Sequence, residues 1–149
     1  MAIINNSIKK YTQDENKNVK IGIDYPVNLN ISGSDGYFQA TTTTIQAVKT
    51  NIINLLNTNQ GERLMQPKLG LNLKKYLFEQ YTTELRDRIR NEIFDIFKFW
   101  LPFVKIQKLE ISMSGINSDI GKNTMNISMD FNITRDPSTF ESIEITIGE

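Results

Sequence analysis

Cysteine and histidine are both missing from this 149-residue chain. Without cysteine there is no disulfide framework, no thiolate metal site and no thiol nucleophile. Without histidine the commonest general base, the commonest metal ligand and every Ser-His or Cys-His nucleophile pair are gone. Charge of one sign is not in excess either. Lysine plus arginine number 17 and aspartate plus glutamate 17, so there is no bulk attraction to nucleic acid or to an anionic membrane. No apolar run approaches the roughly 20 residues that a membrane span needs, and the N-terminus carries no apolar signal-peptide region. The chain reads as a soluble protein made without a secretion signal, of a length that suits one domain with its own core. No metal or other cofactor is expected, and neither nucleic acid nor membrane is expected as a partner.

What is present begins loosely. Residues 1–40 show no sustained period. Asp14-Glu-Asn-Lys-Asn-Val is polar, Ile21, Ile23, Tyr25 and Val27 alternate briefly, Pro26 interrupts, and Ser32-Gly-Ser-Asp-Gly36 has turn chemistry. The pattern predicts an extended N-terminal arm over 1–35, its few apolar side chains lying on this domain or on a neighbour. One domain follows over 36–149. Its first helix is well marked: Thr43 is placed to cap it, Gln46 stands three residues on, and Ile45, Val48, Ile52, Leu55 and Leu56 share a face. Asn57, Asn59 and Gly61 end it. Glu62-Arg63-Leu64-Met65 is expected as a short strand stopped by Pro67, Gly70 as a tight turn, and Leu73 to Phe78 as a short helix. A second long helix runs from a Thr82 cap to Trp100, with Leu85, Ile89, Ile93, Ile96, Phe97 and Trp100 in one stripe. Pro102 stops it.

Three strands are expected after that proline. Val104 and Ile106 alternate in one phase and Leu109, Ile111 and Met113 in the other, which predicts a β-bulge near Gln107-Lys108. Met125, Ile127, Met129, Phe131 and Ile133 form the cleanest alternation, reached through a hairpin loop over 115–123. Asp136-Pro137 predicts a turn, and Ile143, Ile145 and Ile147 a short terminal strand. The fold class is α+β, two main helices packed on one face of a small, largely antiparallel sheet. Such a sheet has two edges, each covered by the arm or a loop, or free to take a strand from another chain.

Reactive constellations are weak. Glycosidic cleavage needs one carboxyl held protonated and another held ionised beside it. Among Glu62, Glu79 and Glu84, the first sits beside Arg63, which favours the ionised form, and the others flank a loop. Gly61 and Gly70 match no phosphate-binding fingerprint. Arg86, Arg88 and Arg90 spread around a helix with Asp87 and Glu92 between them, as on a solvated face. Asn117-Ser-Asp119 falls short of a calcium loop. No catalytic or metal-binding residue is assigned. Phe99-Trp100-Leu101-Pro102-Phe103-Val104 differs from these, because a helix end does not easily bury Leu101 and Phe103 on both sides of a proline break. It reads either as a hydrophobic corner closing the core or as an exposed patch for a partner helix bundle.

Gly36-Tyr37-Phe38, the Thr41–Thr44 run, Asn51-Ile-Ile-Asn-Leu-Leu, Thr58-x-x-Gly61-Glu62-Arg63, Pro67-x-x-Gly70 and Leu77-Phe78-Glu79 occur in this order. Together they resemble the small baseplate wedge subunit of contractile-tailed phages, a family shared with the TssE protein of type VI secretion and often labelled gene 25-like lysozyme. The likeness spans roughly residues 36–134, and its Gly-Tyr-Phe-x-x-Thr-Thr lead-in is closer to the phage branch. It implies a non-enzymatic subunit of the virion's tail baseplate, assembled in the host cytoplasm and present in multiple copies per ring. The implied partners are larger wedge proteins forming a helical core bundle, the tail sheath protein, and other small wedge or tube-adjacent baseplate proteins. The implied fold is like the sheath's handshake domain, with a sheet that accepts a sheath strand and so nucleates sheath assembly. The alternatives are a type VI secretion baseplate subunit and a peptidoglycan-cleaving lysozyme.

The resemblance also distributes expected roles. The family's Glu-Pro-Arg motif at the end of the second helix, which binds the core bundle, is Leu101-Pro102-Phe103 here. Both charges are replaced by apolar groups, so Trp100, Leu101, Pro102 and Phe103 are expected to dock the bundle by hydrophobic burial. Gly61, Glu62, Arg63, Pro67 and Gly70 are expected to fix a turn or meet a wedge partner. The sheet edge for a sheath strand is expected near Met125, Ile127, Met129 and Phe131 or near Ile143 and Ile145.

Overall fold

The computed structural model describes residues 18–29, 37–114 and 124–148. The expected turn at 32–36, the hairpin loop at 115–123 and the polar run from Asp14 lie largely or wholly outside them. The chain divides into two compact units, Met1–Asn51 and Ile52–Glu149, with the boundary inside the first long helix.

In the first unit the brief alternation finds a partner. Strand β1 (Gly22–Ile23) runs antiparallel to β2 (Ala40–Thr41), and Leu29 bridges Phe38. The amides of Ile21 and Asp24 donate to the carbonyls of Thr41 and Gln39 at 2.9 and 3.0 Å. Two-residue strands bury little, and Ile23, Tyr25 and Val27 remain exposed. Helix α1 (Thr44–Asn57) starts as its cap residue predicts, with the Gln46 amide donating to Thr43 Oγ1 at 3.4 Å.

The second unit holds the last turns of α1, a 3-10 helix (Leu73–Phe78), helix α2 (Thr83–Trp100) and strands β3 (Val104–Ser114), β4 (Thr124–Ile133) and β5 (Asp136–Gly148). Thr82 Oγ1 accepts from the Leu85 amide at 3.2 Å, which caps α2, and the predicted stripe buries Leu85, Ile89, Ile93 and Phe97. The sheet is antiparallel in the order β3-β4-β5. Cross-strand rows Leu109–Met129–Ile143 and Ile111–Ile127–Ile145 put large apolar side chains on one face, all buried. Each fully buried side chain of this kind contributes about 1.5–3 kcal/mol of transfer free energy. The α+β expectation holds. The bulge also falls where the phase slips, between Ile106 and Lys108.

Three expectations change. Residues 62–65 form turns rather than a strand, with the Glu62 amide bonded back to the Asn59 carbonyl and the Arg63 carbonyl accepting from the Gln66 amide, both local turn bonds. The last hairpin turns at Thr134-Arg135, and β5 already starts at Asp136. Thr134 donates from both N and Oγ1 to the Phe103 carbonyl, at 2.8 and 3.0 Å, which pins the chain to the start of β3 and forces the reversal there. A register shift between Asn132 and Ile133 then leaves Pro137 out of the ladder, the kind of site a strand proline tolerates. The terminal strand is accordingly long, 13 residues.

Candidate functional site

Helix α1 hands over to a loop closed at two levels. The Leu71 amide donates to the Thr58 carbonyl at 2.8 Å, and the Gly61 amide to the Pro67 carbonyl at 2.9 Å. Gly70 sits at φ +101°, and a Cβ there would lie 2.1 Å from the Thr58 carbonyl oxygen. Only glycine permits that approach. Gly61 also has a positive φ, +92°, but faces open space. Glu62 completes the closure. One carboxylate oxygen accepts from the Asn59 amide at 3.0 Å and the other from Asn59 Nδ2 at 2.7 Å, and the Glu62 amide donates to the Asn59 carbonyl at 3.2 Å.

The hydrogen bond from the Asn59 side chain is the main cause holding the Glu62 carboxyl below its ordinary value, helped by the Asn59 amide, Lys74 and Arg63. Glu62 thus bonds across its own turn, whereas Arg63 makes no ion pair among the described residues. A fully exposed carboxylate kept ionised is the opposite of a general acid. Glu79 meets Arg88 at 3.7 Å, and Glu84 is exposed. Between the two ties, the loop exposes Leu64 and Met65 at 96% and 95%. Sequence reasoning missed this, having placed them in a strand.

The end of α2 behaves differently. The Leu101 amide donates to the Phe97 carbonyl at 2.8 Å, and the Val104 amide to the Leu101 carbonyl at 2.9 Å. The turn around Pro102 folds Leu101 inward to 8% exposure. Leu101 is thus a core residue, a correction to its placement in a docking patch. Pro102 is exposed, Phe103 is 41% exposed and Trp100 partly so. Trp100 packs edge-on against Phe99, with ring centroids 5.1 Å apart, and Phe99 is 73% exposed. An open groove of about 400 Å³ starts at Pro102 and is lined also by Phe94, Phe97, Val104 and Ile106 together with Lys98, Lys105 and Gln107. Phe94 belongs to this groove although the apolar stripe of α2 excludes it, and exclusion from that stripe was the available signal.

The sheet edges also need correction. β4 is the central strand, hydrogen-bonded on both sides, so Met125, Ile127, Met129 and Phe131 are core and offer no edge. Among the described residues the edge strands are β3 and β5. Tyr81 Oη already donates to the Ile111 carbonyl of β3 at 2.9 Å. Ile143 and Ile145 lie on the edge strand β5, but their side chains face the core, so what an added strand would meet is backbone. The polar face carries an open depression of about 660 Å³ lined by Glu110, Ser112, Asn126, Ser128 and Glu144, with Arg86 and Arg90 at its rim. Glu110 is taken by Lys108 at 2.8 Å. Among the described residues no cluster of three or more acidic, histidine or cysteine side chains could hold a metal.

Comparison with known proteins places this geometry. The family model described as baseplate wedge protein gp25 matches residues 42–138, a span that holds α1, the loop with Gly61 and Gly70, α2 and most of the sheet. The baseplate wedge protein gp25 of Enterobacteria phage T4 is 22% identical over 104 residues, 70% of this chain and 75% of that protein. Two solved structures share the fold. A candidate tail lysozyme from Geobacter sulfurreducens superposes with a TM-score of 0.56 at 20% identity, over 72% of this chain and 92% of that one. A chain of the anti-feeding prophage baseplate gives 0.54 at 18% identity, over 83% and 81%. The chain belongs to the baseplate wedge protein gp25 family.

Proposed function

We propose that the protein is a non-enzymatic structural subunit of a contractile-tail baseplate wedge, joining the wedge's helical core bundle to the tail sheath. The exposed aromatic corner carries this reading. Phe99, Trp100, Pro102 and Phe103 are partly or largely exposed at the end of α2, where the family resemblance puts the bundle contact, and Pro102 also lines the neighbouring groove. Their burial by a partner is worth about 1.5–3 kcal/mol for each fully covered side chain. Leu101 contributes by holding the corner in shape. β5 supports the sheath side of the reading, because among the described residues no strand pairs with its outer edge, whereas Tyr81 occupies part of the β3 edge. A sheath strand adding to β5 would gain main-chain hydrogen bonds without disturbing the apolar face.

The test is co-expression with the larger wedge proteins of the same tail. Phe99→Ala/Trp100→Ala/Phe103→Ala should fold, yet lose wedge assembly by roughly a hundredfold or more. A triple variant that assembles normally overturns the corner assignment. The likeness to the anti-feeding prophage baseplate supports a second reading, a subunit of a secretion-type injection system with the same architecture. Genes for capsid and tail fibres beside this one favour the phage reading, and genes for secretion-membrane proteins favour the other. Release of soluble fragments from peptidoglycan, abolished by Glu62→Gln, would overturn both in favour of a lysozyme.

A further inference from the structure

The loop over 58–71 combines two properties that rarely occur together. It is tightly built, with two backbone ties, a two-armed carboxylate clamp and a glycine for which no other residue can substitute. Yet its largest apolar side chains, Leu64 and Met65, are almost wholly in solvent. Ordering a loop loses conformational entropy, and this one recovers nothing within the chain by exposing a leucine and a methionine together. A preorganised apolar tip is what an interface anchor requires, because little ordering remains to be done on binding.

The charges around the tip select the partner. Arg63 and Lys68 flank it in sequence, and Lys74 is close enough to act on the Glu62 carboxylate. All three are exposed, and none forms an ion pair among the described residues. The loop's single carboxylate, Glu62, bonds Asn59 and partly offsets Arg63 and Lys74. Lys68 has no such neighbour among the described residues, so the tip presents its apolar side chains between two exposed cations, Arg63 and Lys68, with positive charge in excess.

We infer that Leu64 and Met65 anchor this chain in an apolar pocket with an acidic rim on a neighbouring baseplate protein, at a contact separate from the aromatic corner. This rests on the wedge reading above. The acidic rim supplies orientation and encounter rate, while the apolar pocket supplies the lifetime of the contact.

The experiment measures binding of the full chain to a reconstituted wedge complex lacking it, by titration at low and high salt. Leu64→Ser/Met65→Ser should weaken binding about thirtyfold or more, with an unchanged thermal midpoint. Arg63→Glu/Lys68→Glu should weaken it about tenfold and remove most of its salt dependence. A benzophenone side chain placed at Met65 should crosslink to a wedge protein segment bearing Asp or Glu. Wild-type binding with the serine pair within about twofold of it overturns the anchor and leaves the wedge reading standing. Failure of the wild-type chain to bind the wedge complex overturns both. A serine pair that instead loses self-association, or loses binding to phosphatidylglycerol vesicles, assigns the tip to a second copy or to lipid and also overturns the inference.

Discussion

Two turns leave the ends of the two long helices, and they treat a leucine in opposite ways. After α2, the turn at Pro102 folds Leu101 into the core, at 8% exposure. After α1, the loop through Gly61 and Gly70 holds Leu64 at 96%. Both turns are closed by backbone hydrogen bonds, at 2.8–2.9 Å across each, so order by itself does not distinguish them. The difference is where the closure points. The Leu101 turn is short and feeds directly into β3, and its side chain is buried. The other loop is closed by two backbone ties and the Glu62–Asn59 bonds and leaves Leu64 and Met65 in solvent. One turn buries its leucine beside exposed aromatics; the other is equally well tied and buries none of its tip.

Several substitutions would break or sharpen that contrast. The largest effect is expected at Gly70. Gly70→Ala sets a methyl 2.1 Å from the Thr58 carbonyl oxygen at φ +101° and should destabilise the fold by roughly 4 kcal/mol or more. Denaturant unfolding measures it, and a change near zero would show that the loop does not need its observed closure. Leu101→Ala comes next, at about 2–4 kcal/mol, while Leu64→Ala on the other turn should stay within about 0.5 kcal/mol. Equal costs for the two leucines would erase the contrast. Gly61→Ala keeps the positive φ penalty without the clash and should cost about 1 kcal/mol, well below Gly70→Ala.

The smallest expected effect is electrostatic. Glu62 is held below its ordinary value, chiefly by the Asn59 side chain. The folded form therefore releases this proton more readily than the unfolded form. The clamp's contribution is fully present above the unfolded carboxyl's value and is lost as pH falls through the lower folded one. The protection of the Asn59 amide from exchange, taken relative to its intrinsic rate at each pH, should fall in that acidic window, and Glu62→Gln should remove this change. A wild-type Asn59 amide whose protection is unchanged there would show that the carboxylate does not hold the turn.

Much of the architecture was legible from side-chain period. The α2 stripe, the phase slip at the bulge and the five-residue alternation of β4 all report burial, and burial repeats with the geometry of the element; the Thr82 cap was legible from its hydrogen-bonding chemistry instead. The same signal misled where burial and edge position part company. Met125, Ile127, Met129 and Phe131 alternate most clearly because their strand is central, and a central strand has no edge to offer. Leu64 and Met65 looked like strand residues because composition does not reveal that the chain closes into a loop there through the Gly61–Pro67 and Leu71–Thr58 ties. Phe94, which lines the groove, and Phe99, which packs on Trp100, lie off the stripe and carry no periodic mark.

The sequence alone determined the absence of cysteine and histidine chemistry, the positions of the helices and of the β3 and β4 alternations, and the ordered motifs that pointed to the wedge family. Those depend on residue type and local spacing. Only the tertiary structure decided that Leu101 turns inward while Leu64 turns outward, that β4 lies between β3 and β5, and that Glu62 closes a loop onto Asn59. Each of these depends on which groups from distant parts of the chain, or across a closed turn, come within hydrogen-bonding or packing distance. That proximity is a property of the fold rather than of any local pattern.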